Sequence, residues 1–158
     1  MNKIKMDELD LCYFDKNNKS HVLFLKQVLS DDSITKRFSG FLPNLMKKNQ
    51  NSIYGMGFLV EDNEKLIGYV DIGNYNKEEK CVYIRQAVDK NIRAKSYGKR
   101  ILLEFTNFIF SNYPEVEKIK AKIHEDNIVS IKMAEACGFE NSYNDFYELK
   151  NPFIKIKR

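Results

Sequence analysis

The stretch that decides the fold is Ala87-Val88-Asp89-Lys90-Asn91-Ile92-Arg93-Ala94-Lys95-Ser96-Tyr97-Gly98-Lys99-Arg100. It closes a β-like run, Cys81 to Val88, passes through a basic turn, and opens into a strongly helical pattern. Small residues at Ala94, Ser96 and Gly98 let backbone approach a ligand, and they alternate with Lys95, Tyr97 and Lys99. The first N–H groups of a helix have no partner within it and carry the positive end of its dipole. A turn of this kind therefore suits an anion, best of all a phosphate or pyrophosphate. The plainer reading, a basic loop capped by a helix, stands beside it. A triphosphate-binding loop is excluded, because the spacing Gly-x-x-x-x-Gly-Lys-Ser/Thr is absent. So is a dinucleotide fingerprint, which needs three glycines where this turn has only Gly98.

Working outward, Gly98 to Ser111 is amphipathic, with Ile101, Phe105 and Phe108 on one face, and Asn112 and Pro114 stop it. Upstream, Ile53–Val60, Leu66–Ile72 and Cys81–Val88 are joined by short polar connections and predict an antiparallel meander. Downstream, Val116–Ile123 predicts a strand, and Glu125-Asp126-Asn127 caps a helix that runs to Ala136. Gly138 ends that helix, Phe139 turns back to the core, and Tyr143–Leu149 is the last strand. At the start, Ile4–Phe14 predicts a strand, and Ser20 caps a helix carrying Val22, Leu25 and Leu29. Ser30-Asp31-Asp32-Ser33 breaks it before a short helix ending near Gly40, and Pro43 starts a third through Lys48. The order predicts an α+β (mixed α/β) domain.

A length of 158 residues fits one domain, 1–158, with 152–158 as a basic, flexible tail. A hydrophobic fraction of 43% with 30% charged residues excludes a disordered polar chain. No apolar run approaches the ~20 residues of a membrane span, and Met1 to Asp10 lacks the core of a secretory signal. The expected location is the cytoplasm, with no membrane partner. Cys12, Cys81 and Cys137 are odd in number and far apart, which fits small buried hydrophobes and neither disulfides nor a metal site. The net charge of +4 is concentrated in Lys90, Arg93, Lys95, Lys99 and Arg100 and in the tail. A nucleic-acid module is the weaker use of that charge, since no aromatic-interleaved basic sheet motif accompanies it.

Arg93-x-x-Ser96-x-Gly98 resembles the Arg/Gln-x-x-Gly-x-Gly/Ala pyrophosphate loop of the GNAT superfamily of N-acetyltransferases, with Ser96 at the middle glycine. Asn127-Ile128-Val129-Ser130, with Gly138-Phe139 eleven residues on, is similar to the family's next strand–helix signature. Leu29-Ser30-Asp31-Asp32 and Arg37-Phe38 look like the branch of ribosomal-protein N-terminal acetyltransferases. The resemblance implies an acyl-CoA N-acyltransferase-like fold, with a mostly antiparallel sheet splayed around a cofactor cleft and flanked by helices. It implies acetyl-CoA as acetyl donor and no metal. The pantetheine arm would pair with Ala87 and Val88, and the Val88 N–H would polarise the thioester carbonyl. Arg93, Ala94, Lys95, Ser96, Tyr97, Gly98 and Lys99 would hold the pyrophosphate. Asn127 would bond the pantetheine arm, with Ser130 or Lys132 at the adenosine phosphate; capping by Asn127 is the structural alternative and is compatible with it.

The family reaction is direct attack of a primary amine on the thioester. The acceptor is a protein N-terminus or a small-molecule amine, and a homodimer is a further expected partner, since many relatives dimerise. The Tyr that many members place four residues before the Gly-Phe pair is Ala134 here, so no thiolate acid carries over. His124 and Tyr143 are the remaining candidates for proton transfer. A non-catalytic CoA-binding or interaction domain of the same fold is the alternative.

Overall fold

Alternating runs joined by short turns fold into hairpins, and the hairpins merge into one sheet. In the computed structural model, residues 3–29, 52–92 and 96–154 are described. The strands are β1 (Lys3–Lys5), β2 (Asp10–Cys12), β3 (Gly57–Asp62), β4 (Lys65–Ile72), β5 (Cys81–Val88), β6 (Lys118–Lys122), β7 (Glu140–Tyr143) and β8 (Phe146–Lys150). The helices are α1 (Lys19–Leu29), α2 (Tyr97–Asn112) and α3 (Ile128–Ala136). The sheet order is β1-β2-β3-β4-β5-β6-β8-β7. Every pairing is antiparallel except β5 with β6, which α2 connects as a parallel crossover. The expected α+β acyltransferase architecture is therefore the one observed. The short helices expected before Gly40 and from Pro43, the residues Arg93, Ala94 and Lys95, and the tail from 155 lie outside the described residues.

The two sheet faces bury different helices. Phe58, Val70, Ile72, Val82, Ile84 and Val88 pack with Ile101, Phe105 and Ile109 of α2. Cys12, Leu59, Tyr69 and Ala87 pack on the other face with Phe24, Leu25 and Val28 of α1. Gly68, opposite Val88, brings α2 close: a Cβ there would stand 2.7 Å from the Ala87 carbonyl oxygen and 3.0 Å from Ile101 Cδ1.

Three elements differ from the sequence reading. Ile4–Phe14 is a hairpin, β1–β2, because residues 7–9 turn and send their N–H groups to Glu104 Oε1 on α2, at 3.1, 2.9 and 2.8 Å from Asp7, Glu8 and Leu9. No local pattern reveals a partner that distant in sequence. The cap of α1 is Asn18, whose Oδ1 accepts from the Ser20 and His21 N–H groups, so Ser20 lies inside the helix. The final strand is two, since Asn144 takes φ 49° and turns β7 into β8. Gly138 and Phe139 behave as read, with φ 95° at Gly138 after α3 and Phe139 buried.

Substituting Glu104→Ala leaves three turn amides without their carboxylate. Bonds to a charged acceptor contribute about 1.5–3 kcal/mol. Urea denaturation should show a loss of that size for the alanine variant and a smaller one for Glu104→Gln.

Candidate functional site

The site begins where the sheet stops pairing. The β5–β6 ladder holds only Cys81 to Lys118, Val82 to Ile119 and Tyr83 to Lys120. Beyond it β5 stays paired to β4 as far as Val88, and β6 stays paired to β8 as far as Lys122. Between these braced arms the sheet opens as a V.

The register decides which backbone groups face that opening. Tyr83 C=O accepts from Gly73 at 2.8 Å, and Asp89 N–H donates to Ile67 C=O at 3.1 Å, so odd-numbered residues of β5 bond toward β4. Lys80 C=O accepts from Lys118 N–H at 3.2 Å on the β6 side. Gln86 and Val88, with the C=O of Ile84, thus face the β6 side beyond the end of the ladder. Ala87 does not: it lies in the ladder opposite Tyr69, with its side chain among α1 residues. Of the two residues expected to pair with a cofactor arm, Val88 turns its backbone toward the opening and Ala87 turns its backbone toward β4. Sequence reading did not single out Gln86, whose backbone faces the same side as that of Val88. Its signal was present as an amide in the otherwise apolar series Val82, Ile84, Gln86, Val88.

The first turn of α2 stands at the mouth of the V. Ser96 precedes it with φ 62° and ψ 18°, left-handed and without a side-chain cap bond. That conformation explains why the resembling motif favours glycine there. Gly98 has an ordinary backbone, but a Cβ would lie 2.9 Å from Met133 Sδ on α3 and 3.6 Å from Val88 Cγ2. Its value is close packing of α2, α3 and β5. Lys99 is exposed. Tyr97 and Arg100 are engaged elsewhere: Tyr97 OH donates to Asp62 Oδ2 at 2.8 Å, and Arg100 pairs with Glu8 at 2.9 Å and Asp62 at 3.6 Å. Part of the local positive charge is therefore already answered. At the head of α3, Asn127 Oδ1 accepts the Ser130 N–H at 3.3 Å, the expected cap, which leaves the Asn127 amide N–H groups for another partner. Lys132 is exposed and Ser130 half-buried.

The opposite face of the V carries Tyr83 and Arg85 on β5 and Lys120 and Lys122 on β6. Tyr83 packs edge-on against Phe146, 5.9 Å between centroids, with Lys120 Nζ 5.9 Å above its ring. Arg85 is held by the buried Asp71, which also accepts from Tyr69 OH at 2.8 Å. Burial works against the Arg85 charge, and the bonds and charge of Asp71 more than offset it, so its pKa is raised. His124 follows β6 at the open end, its side chain 61% exposed and its Nδ1 3.5 Å from Asp126. Tyr143 is not brought to the site: it ends β7, with β8 and β6 between it and β5. Ala134 is buried core. Elsewhere Cys12 Sγ lies 3.7 Å from His21 Nε2, but burial pushes the thiol up to about 11, so it is no nucleophile at neutral pH. Among the described residues no cluster of His, Cys, Asp and Glu could hold a metal ion, and no helix is long and apolar enough to cross a membrane.

Comparison with known proteins identifies the class that this geometry belongs to. Residues 14–139 match the model of the acetyltransferase (GNAT) family. The chain belongs to that family, which makes it an acetyl-CoA-dependent N-acetyltransferase. No curated protein matches its sequence. Among solved structures, a GNAT acetyltransferase from Bacillus anthracis is 16% identical, with 94% of this chain and 98% of the other covered and a TM-score of 0.71. The N-acetyltransferase PseH of Campylobacter jejuni, in complex with acetyl coenzyme A, is 24% identical over 90% and 98%, with a TM-score of 0.65. A structure described as a ribosomal-protein-serine acetyltransferase from Vibrio cholerae is 15% identical over 94% and 97%, with a TM-score of 0.70.

Two predictions follow from the local geometry. Ser96→Gly relieves a left-handed serine and should raise stability by about 0.5–1 kcal/mol, after the greater freedom of the unfolded glycine is subtracted. Thermal unfolding measures it. Native thiol labelling at neutral pH, followed by mass spectrometry, should modify the half-buried Cys137 well before Cys12 and Cys81, which are 2% and 0% exposed.

Proposed function

We propose that the chain transfers the acetyl group of acetyl-CoA to the primary amine of a protein N-terminus or a small molecule, within the V between β5 and β6. The observation that carries this is the register of β5. It directs the backbone of Gln86 and Val88 into an opening that ends at the N-terminus of α2. A pantetheine arm presents amide donors and acceptors at strand-like spacing and would continue the ladder that β6 abandons. The pyrophosphate would then meet the N–H groups between Ala94 and Lys99, with Arg93 and Lys95 adding charge. The Asn127 amide would bond the arm, and Ser130 and Lys132 would meet the adenosine phosphate.

In this reading the donor occupies the α2–α3 side, and the amine arrives from the side of Tyr83, Arg85, Lys120 and Lys122. The Val88 N–H would steady the negative charge that develops on the thioester oxygen. Position 134 supplies no acid, so the rate rests on alignment, which can contribute as much as ~7–11 kcal/mol of barrier lowering. His124 lies at the open end beside Asp126, with direct access to solvent for the amine proton. The protein N-terminus is favoured among acceptors by the resemblance of residues 29–38 to the ribosomal-protein branch.

Acetyl-CoA at ~100 times its dissociation constant should add ~2.7 kcal/mol of stability, read as a thermal shift. Gly98→Val, whose side chain would press on Met133 and Val88, should abolish the shift. No shift at millimolar acetyl-CoA contradicts the proposal. A shift without thiol release across peptides, polyamines and aminoglycosides would leave a CoA-binding domain without catalysis.

A further inference from the structure

Four side chains of β5 point toward α2, and three of them, Val82, Ile84 and Val88, are buried and apolar. The fourth is Gln86, an amide that is only half-buried. Its Nε2 donates to the carbonyl of Gly98 in the first turn of α2 at 3.0 Å and lies 4.0 Å from Met133 Sδ. Rotating the amide by half a turn would set its oxygen against the Gly98 oxygen, so the orientation is fixed by chemistry. That leaves Oε1 covered and without a hydrogen-bond partner. Buried polar atoms without a partner are rare and call for an explanation. An apolar side chain of the same size would fill the space without an orphan oxygen, at the loss of the bond to Gly98. The orphan atom is an acceptor, so what it lacks is a donor.

We propose that Gln86 recognises the pantetheine arm of the donor, its Oε1 accepting an amide N–H of that arm. This rests on the reading of the V as the acetyl-CoA site. The arm carries two amide N–H groups, and the backbone of the same residue faces the opening that the arm would enter. Met133, whose flexible thioether stands beside the amide, is able to give way as the arm arrives. The bond from Nε2 to Gly98 holds the amide in place, so one side chain links the strand beside the arm to the turn beside the phosphates.

The test is Gln86→Leu, with calorimetric titration of CoA and of 3′-phosphoadenosine 5′-diphosphate, the half of CoA that lacks the arm. CoA affinity should fall roughly five- to tenfold, the size of one hydrogen bond. Affinity for the nucleotide half should change less than twofold, and the unliganded variant, which loses the bond to Gly98 together with the orphan oxygen, should unfold close to the parent. Unchanged CoA affinity overturns the proposal. So does an equal loss for both ligands, which would mean that the turn alone had been disturbed. Gln86→Met serves if the leucine variant does not fold. Failure of the parent protein to bind CoA at all would instead overturn the reading of the V, and this proposal with it.

Discussion

The pairing of β5 with β6 ends at Tyr83 and Lys120, and the rest of the site depends on that ending. A strand edge without its neighbour is ordinarily unstable, because its amides need partners. Here each arm is braced from outside. β4 holds β5 through Val88, and β8 holds β6 through Lys122. The opening is therefore built into the sheet and needs no ligand to force it. It also separates two faces, with α2 and α3 on one side and Tyr83, Arg85, Lys120 and Lys122 on the other. A two-substrate transfer needs such a division, in which donor and acceptor reach one point from opposite directions.

The helix that meets the V is fixed from behind. Glu104 gathers the amides of the β1–β2 turn, Arg100 pairs with Glu8 and Asp62, and Tyr97 bonds Asp62. These contacts lie on the side of α2 away from β5. On the near side Gly68, Gly98 and Val88 let the helix approach the sheet closely. The N-terminal turn is thus positioned by packing and by ion pairs that do not involve a ligand. A pre-set helix end binds an anion without first losing conformational freedom.

Much of this was legible in the sequence. The amphipathic run after Gly98, the alternating strands before it and the cap at Asn127 are local patterns, and local patterns survive folding. Ser96 was visible as a departure from the motif, but only its φ of 62° shows why glycine is usual there. What was not legible is long-range. The carboxylate that splits the first strand comes from Glu104, and the register that turns Ala87 toward β4 and Gln86 toward the opening is set by the pairing of Tyr69 with Ala87. The basic segment reads as one patch in sequence, yet Arg100 faces acids from two distant turns. Tyr143 looked close to the site because the last two strands were read as one. The hairpin places it at the sheet's far edge.

A crystal structure of the acetyl-CoA complex tests the central claim most directly. The expected result is the pantetheine arm lying between β5 and β6 beyond Tyr83, paired with the backbone of Gln86 and Val88, with the pyrophosphate at the first turn of α2. A cofactor bound elsewhere, or a β5–β6 ladder that continues unbroken past Tyr83 in the complex, would contradict it.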